Sequence, residues 1–205
     1  TVGGSQKGLM VPPGLGFNWV NDKALEAHKT AGLRSGYWDW TKRMSQGSHY
    51  WRYCGTPPIS HLYALREALD MIAEEGLENV WARHKVFGSA IRAAVGAWAT
   101  PDGLRLAVAE PSERSDSVTT VMTGSIDPAR LRQVCETQAG LTLGIALGEE
   151  YEGSAFRIGH MGHLNPPMVL GTLGTIEAAL TAMGAPIGGS GVAAAAARIA
   201  QAMRA

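Results

Sequence analysis

Apolar residues in "SHLYALREALDMIAEEG" (Ser60 to Gly76) recur at Leu62, Leu65, Leu69 and Ile72, spaced three and four apart. That period gathers them on one stripe and predicts an amphipathic helix. Gly76 interrupts the period, and "LENVWARHKVFGSAIRAAVGAWA" resumes it. The texture then changes to short segments rich in Val, Leu and Thr: "LRLAVA", "SVTTVMT", "LTLGIAL" and "SAFRIGH". These read as β-strands. Between the second and third, "DPARLRQVCETQ" reads as a helix, with Asp127 as N-cap and Pro128 at its first position. Two further helices are expected, from about Pro166 to Met183 and from Val192 to Ala205, separated by "GAPIGGSG".

Ahead of Ser60 the pattern is less regular. "GFNWV" (Gly16 to Val20) predicts a short strand, and Asn21-Asp22 opens a helix, "DKALEAHKT", that closes near Gly32. The connection "SGYWDWTKRMSQGSHYWRYCGTPP" holds three of the six tryptophans and three of the five tyrosines. Such aromatic density in a Gly/Ser-rich stretch predicts an ordered loop packed on something, as at a subunit interface. The α+β pattern after Gly76 thus follows a helical stretch that belongs to something larger. Two domains are expected, residues 1–76 and residues 77–205.

Composition narrows the classes. Of 205 residues, 45% are hydrophobic and 18% charged, which suits a globular chain able to bury a core. Eighteen basic residues balance 18 acidic ones, with no long run of either sign. Neither a nucleic acid nor a membrane surface is therefore an expected partner. No apolar stretch reaches the roughly 18 residues a membrane span needs. Cys54 and Cys135 are too few and too far apart for a disulfide framework or a zinc site, so a cytoplasmic location is expected. His160 and His163 stand three apart with no third ligand near them in sequence, and no metal is expected. The chain opens on Thr1 without Met. This fits either a processed N-terminal nucleophile or a chain that begins inside a larger fold.

"GGSQKGLMVPPG" (Gly3 to Gly14) carries the chemistry. No acidic residue precedes Asp22, so Lys7 has no local ion-pair partner. A lysine that loses hydration among small residues presents a neutral, nucleophilic amine, as a Schiff-base lysine must. The glycines permit close backbone approach, and Ser5 and Gln6 offer polar groups that could reach a phosphate. Arg157 stands in "SAFRIGHMG" between Phe156 and Ile158, with no acid within four residues. An arginine so placed either reaches solvent or awaits an anion. Tyr53 and Thr56 supply two hydroxyls on the aromatic-rich loop, suited to turn hydrogen bonds or to a phosphate.

"GSQKGLMVPPG", followed by a strand and the "DKALEAHK" helix, resembles the cofactor-lysine segment of class V aminotransferases, fold type I enzymes that use pyridoxal 5'-phosphate. More narrowly it resembles the serine/alanine–glyoxylate branch. "YCGTPPISHLYALREALDMIAEEGLENVWARH" is similar to the family's interface loop and long helix, and "FRIGHMG" to its substrate-carboxylate strand. The resemblance implies an α/β fold of type I: residues 1–76 as the end of the large cofactor-binding domain, residues 77–205 as the α+β small domain. It implies that Lys7 forms the Schiff base with the cofactor and then moves the substrate proton, and that Gln6 contacts the cofactor phosphate. Tyr53 and Thr56 would reach the phosphate of the neighbouring subunit of a homodimer with shared active sites. Arg157 would hold the α-carboxylate of the small amino acids and keto acids that serve as substrates.

Members of that family are roughly twice this long. Their N-terminal half supplies the ring that stacks on the cofactor and the Asp that pairs with its pyridine nitrogen. An N-terminal half polypeptide is therefore an expected partner, without which the chain would be inactive. A start at Thr1 then fits a cut or split chain better than an N-terminal nucleophile. The expected reaction moves an amino group from serine, alanine or aspartate to glyoxylate or a similar 2-oxo acid. "VWARH" and "RIGHMG" also resemble pyridoxamine–pyruvate aminotransferase, although "SQK" in place of an Asn-Lys pair favours the glyoxylate branch. A non-catalytic subunit is the alternative of another class, and it would have no use for both Lys7 and Arg157.

Overall fold

Thr1 and Trp19 exchange backbone hydrogen bonds of 2.8 Å and open an antiparallel ladder between β1 (Val2–Gly4) and β2 (Gly16–Asn18). The computed structural model describes residues 1–44 and 47–204. Within it the chain divides into two compact units, Thr1–Glu74 and Glu75–Ala205.

In the first unit, α1 (Asp22–Lys29) begins where the sequence places it, because Asn21 Oδ1 accepts the Ala24 N–H at 3.0 Å. The aromatic connection is not a plain loop. It contains α2 (Trp40–Arg43), capped by Asp39, and α3 (His49–Tyr53); its residues 45 and 46 lie outside the described residues. His28 ties α1 to this segment through Asp39 Oδ1 (3.2 Å) and stacks on Trp40. The long helix α4 (Ile59–Glu75) follows. Its predicted stripe is only partly covered, since Ala68 is its buried residue and Leu69 is exposed. Among the described residues, Val11 and Ala68 are the buried apolar side chains of this unit. Trp19 and Trp38 are 80% and 71% exposed.

The second unit holds the core. Gly76, at φ 84°, breaks the helix before α5 (Leu77–Trp98). A four-stranded antiparallel sheet follows, in the order β3 (Arg105–Leu106), β4 (Val118–Met122), β6 (Ala155–Gly159), β5 (Gly144–Ile145). The predicted strands "LRLAVA" and "LTLGIAL" shorten to two residues each because β3 and β5 are the edges, paired on one side only. Helix α6 (Pro128–Ala139) starts at Asp127, whose Oδ1 accepts the N–H groups of Ala129 and Arg130 at 2.9 and 3.2 Å. Helices α7 (Pro166–Ala182) and α8 (Gly191–Ala202) close the chain.

Strand alternation sorts the sheet's two faces. Val121 pairs with Phe156 and Thr119 with Ile158 on the buried face, which meets Ile91, Trp98, Leu131, Leu173, Ile176 and Leu180. Thr120 pairs with Arg157 on the other face. Trp98 and α8 meet so closely that any Cβ at position 191 would overlap the indole, which is why a glycine opens that helix. Glu177 of α7 accepts hydrogen bonds from Trp98 Nε1 (2.8 Å), Ser190 Oγ (2.8 Å) and Val192 N (3.1 Å), locking α5, α7 and α8 together.

His160 closes β6 with no exposed surface. Its Nδ1–H donates to the Asp116 carbonyl at 3.1 Å, and its Nε2 accepts from the Thr119 hydroxyl at 2.9 Å. Both nitrogens thus hold the strand, and neither is free to bind a metal; among the described residues no cluster of His, Cys, Asp and Glu is arranged to do so. Burial pushes the imidazole pKa down from 6.5 to about 4, against the raising effect of the Asp116 carbonyl, with Arg92 lowering it and the Asp116 charge raising it. Because the folded value lies below the unfolded one, stability present above 6.5 is lost as the pH falls toward 4. Between about pH 7 and about pH 5 the chain should lose about 2 kcal/mol of unfolding free energy from this residue. Urea titrations at the two pH values measure it. A His160→Gln variant should be less stable at pH 7 but flatter across this range; an equally steep slope would show that the loss arises elsewhere.

Candidate active site

Residues 5–15 form a loop built on hydrogen bonds. Ser5 is fully buried and each of its polar groups is used. Its N–H donates to the Leu15 carbonyl (3.1 Å), and its carbonyl accepts from Val11 N–H (3.0 Å). Its hydroxyl donates to the Pro12 carbonyl (2.8 Å) and accepts from Leu15 N–H (3.2 Å). Further along, the Met10 N–H closes a turn onto the Lys7 carbonyl at 2.9 Å, with Met10 at φ 58°. Gly14, at φ 149°, allows His61 of α4 to come close enough to donate to the Pro13 carbonyl at 3.1 Å. A side chain at 14 would meet the imidazole at 2.7 Å from its Cβ.

Lys7 sits at the start of the turn with its side chain exposed. The expected loss of hydration is not supplied by this chain's own packing, since the neighbours are too small to cover the stem. Ser5 also differs from expectation. Its hydroxyl is consumed inside the loop and cannot reach a phosphate without breaking that frame. Gln6 is exposed and folds back over Gly4, where any Cβ would lie 2.9 Å from its Oε1.

Tyr53 is the last residue of α3. Cys54 (φ 54°) and Gly55 (φ 150°) end that helix in a left-handed turn, the Gly55 N–H donating to the Tyr50 carbonyl at 2.9 Å. The turn puts half-buried Tyr53 on one side and exposed Thr56 on the other. Tyr53 lines a cavity of about 700 Å³ with Leu15, Phe17, Trp40, Arg52 and Leu65, and neither Lys7 nor Gln6 lines it.

Arg157 belongs to the second unit. Half-buried on β6, it donates from Nε to the Ile145 carbonyl on β5 at 2.6 Å. Among the described residues no carboxylate forms an ion pair with it. Gly144, its neighbour across the ladder, leaves room for the side chain, for a Cβ there would lie 3.3 Å from Arg157 Cβ. The guanidinium is therefore oriented by one donor, and both terminal nitrogens remain for a planar anion.

Sequence reasoning missed what holds the end of β6. Arg83 forks onto Glu75 at 2.6 and 2.7 Å and also donates to the carbonyls of Gly162 (2.8 Å) and Leu164 (3.2 Å). Arg83 is the main cause that keeps the Glu75 carboxyl below its ordinary range. His84 receives the Gly162 N–H at 3.0 Å on Nε2 and donates from Nδ1 to the Val80 carbonyl at 2.7 Å. "VWARH" and "RIGHMG", quoted above as separate motifs, thus meet. Their distance along the chain left no local signal of it.

A family model for class V aminotransferases matches residues 1–150. The chain belongs to the class V aminotransferases. It is 42% identical to a serine–glyoxylate aminotransferase of Methylorubrum extorquens over 95% of this chain and 48% of that protein. It is 41% identical to an L-aspartate–glyoxylate aminotransferase of Paracoccus denitrificans, again over 95% and 48%. Among solved structures, pyridoxamine–pyruvate aminotransferase from Mesorhizobium loti superposes with a TM-score of 0.84 at 33% identity, covering 98% of this chain and 51% of that one. The chain spans about half the length of the relatives it matches, and its α/β fold is the corresponding part of the type I aminotransferase fold. The cofactor of class V aminotransferases is pyridoxal 5'-phosphate. The first unit's own donors are of a kind that suits that group: an exposed lysine amine on a framed loop and an amide beside it. No helix of the described residues is long and apolar enough to cross a membrane.

Proposed function

We propose that this chain is the lysine-bearing part of a pyridoxal 5'-phosphate-dependent transaminase that moves an amino group from serine, alanine or aspartate to glyoxylate. The observation that carries the reading is 41–42% identity, across 95% of the chain, to two glyoxylate aminotransferases that differ in amino donor. When bound, pyridoxal phosphate would supply a carbonyl carbon for an amine and a ring that takes up electron density. Lys7 Nζ would hold the cofactor at that carbon, be displaced from it by the incoming substrate amine, and, as the freed amine, would move the proton at the substrate Cα. Gln6 would donate its amide N–H to the phosphate. Arg157 would grip the α-carboxylate with its terminal nitrogens. The same grip serves donor and acceptor, because both present that carboxylate.

In this reading residues 1–76 end the large cofactor-binding domain and residues 77–205 form the small one. An N-terminal half polypeptide covers the exposed aromatic face of the first unit and completes the cofactor site. The complete unit is a homodimer in which Tyr53 and Thr56 serve the partner's phosphate. A cavity that contains Tyr53 but neither Lys7 nor Gln6 supports that division of labour. Two free thiols far apart in sequence, Cys54 and Cys135, suit a cytoplasmic enzyme. A second reading, transfer from pyridoxamine to pyruvate, has the 0.84 superposition in its favour, at lower identity.

The test is to purify the chain together with the polypeptide that supplies the other half, trap the cofactor with borohydride, and assay both substrate pairs. Cofactor mass on the Lys7 peptide and turnover at least about 100-fold faster with an amino acid and glyoxylate are expected. Faster turnover with pyridoxamine and pyruvate would select the second reading. No trapped cofactor would leave the chain a non-catalytic subunit.

A further inference from the structure

We propose that Ser5 is a positioning residue for Lys7: its buried hydroxyl bridges Pro12 and Leu15 and thereby fixes the backbone from which the lysine projects. The proposal rests on the reading of Lys7 as the cofactor-binding amine. Among the described residues of the first unit, Ser5 is the polar side chain without exposed surface. That unit has almost no apolar core, and Val11 is the loop's buried apolar residue. Hydrogen bonds must therefore set the loop's shape. Four of them converge on Ser5, two of which its hydroxyl makes.

A single residue, Gln6, separates Ser5 from Lys7, so any slip at Ser5 passes directly to the lysine Cα. The turn that follows is under strain, since Met10 holds φ 58° without being glycine. Such a turn persists only while the surrounding contacts over-determine it. Removing the hydroxyl takes from the Leu15 N–H and the Pro12 carbonyl the partner that ties them together in a part-buried place, and water that replaces it does not hold the two segments in register. A lysine stem is flexible, and its amine reaches a fixed point only if its base is fixed. Displacement by about 1 Å is enough to cost about 100-fold in rate.

The experiment compares Ser5→Ala, Ser5→Cys and, as control, Val11→Ala in the assembled, cofactor-loaded protein. Val11→Ala weakens the same loop through apolar packing without cutting the hydroxyl's bonds. In Ser5→Ala, amide hydrogen exchange at Leu15 should quicken about 10-fold or more. The pH midpoint of the yellow lysine–cofactor band should move by about half a unit, with kcat lowered about 10- to 100-fold and KM within about threefold. Ser5→Cys, close in size with a weak S–H donor, should fall between, and it carries the comparison if the alanine variant fails to fold. Val11→Ala should lower thermal stability but keep the wild-type midpoint and kcat. A wild-type midpoint and kcat in the Ser5 variants would overturn the proposal. So would equal shifts in Val11→Ala, which would reduce Ser5 to loop stability alone. Absence of trapped cofactor on Lys7 in the unaltered protein would instead remove the reading beneath it, and the two failures are read on different proteins.

Discussion

Replacing Lys7 with alanine is expected to lower transamination by at least about 1000-fold in the assembled enzyme, because in the proposed reaction one side chain would serve as both nucleophile and base. The fold should hardly notice. The lysine side chain is exposed, and its contribution to the turn is the carbonyl that accepts the Met10 N–H, which alanine retains. Surface substitutions of this kind stay within about 0.5 kcal/mol. Thermal unfolding should therefore match wild type while the yellow colour and the borohydride-trapped peptide disappear. An added small amine should restore part of the activity, since it replaces the missing base. Near-normal turnover in Lys7→Ala without such an amine would show that the reaction's nucleophile is elsewhere.

Arg157→Lys is the second large effect. The arginine is held from one side, Nε to the Ile145 carbonyl at 2.6 Å, and offers its two remaining nitrogens as a planar fork. Lysine keeps the charge but has no rigid fork and no separate nitrogen for Ile145. The value of kcat/KM should fall by about 10- to 1000-fold, about 1.5–4 kcal/mol of lost transition-state stabilisation. Donor and acceptor should suffer alike, because both present an α-carboxylate. Unchanged kinetics with either substrate would sink the assignment. The substitution leaves Phe156 and Ile158 on the buried face, so folding of the second unit should be preserved.

Helices were legible because their signals are local. Asn21 and Asp127 cap the helices they were expected to cap, and Gly76 breaks the chain between α4 and α5 at φ 84°. Strands were legible by position but not by length. Segments that look equally β-prone become five-residue inner strands or two-residue edges according to how many neighbours they find. The aromatic connection has the sequence of a loop, and its two short helices leave no periodic signal because they contain one turn or little more and hold no buried residue.

The site shows the same division more sharply. Sequence by itself determined the family through its motifs, and it singled out the candidates for chemistry: a lysine with no nearby acid and an arginine on a strand with none either. Residue type and short spacing are properties of the chain, so they need no fold to be read. Only the tertiary structure decided that Ser5 turns inward to close the loop, that Lys7 stays exposed in this chain, and that the Ile145 carbonyl holds Arg157. Only it joined Arg83 and His84 to the turn after β6, across a separation of nearly eighty residues. Hydrogen bonds between distant segments depend on where packing brings the backbone, and any serine, glycine or arginine has the same local appearance with or without such a partner.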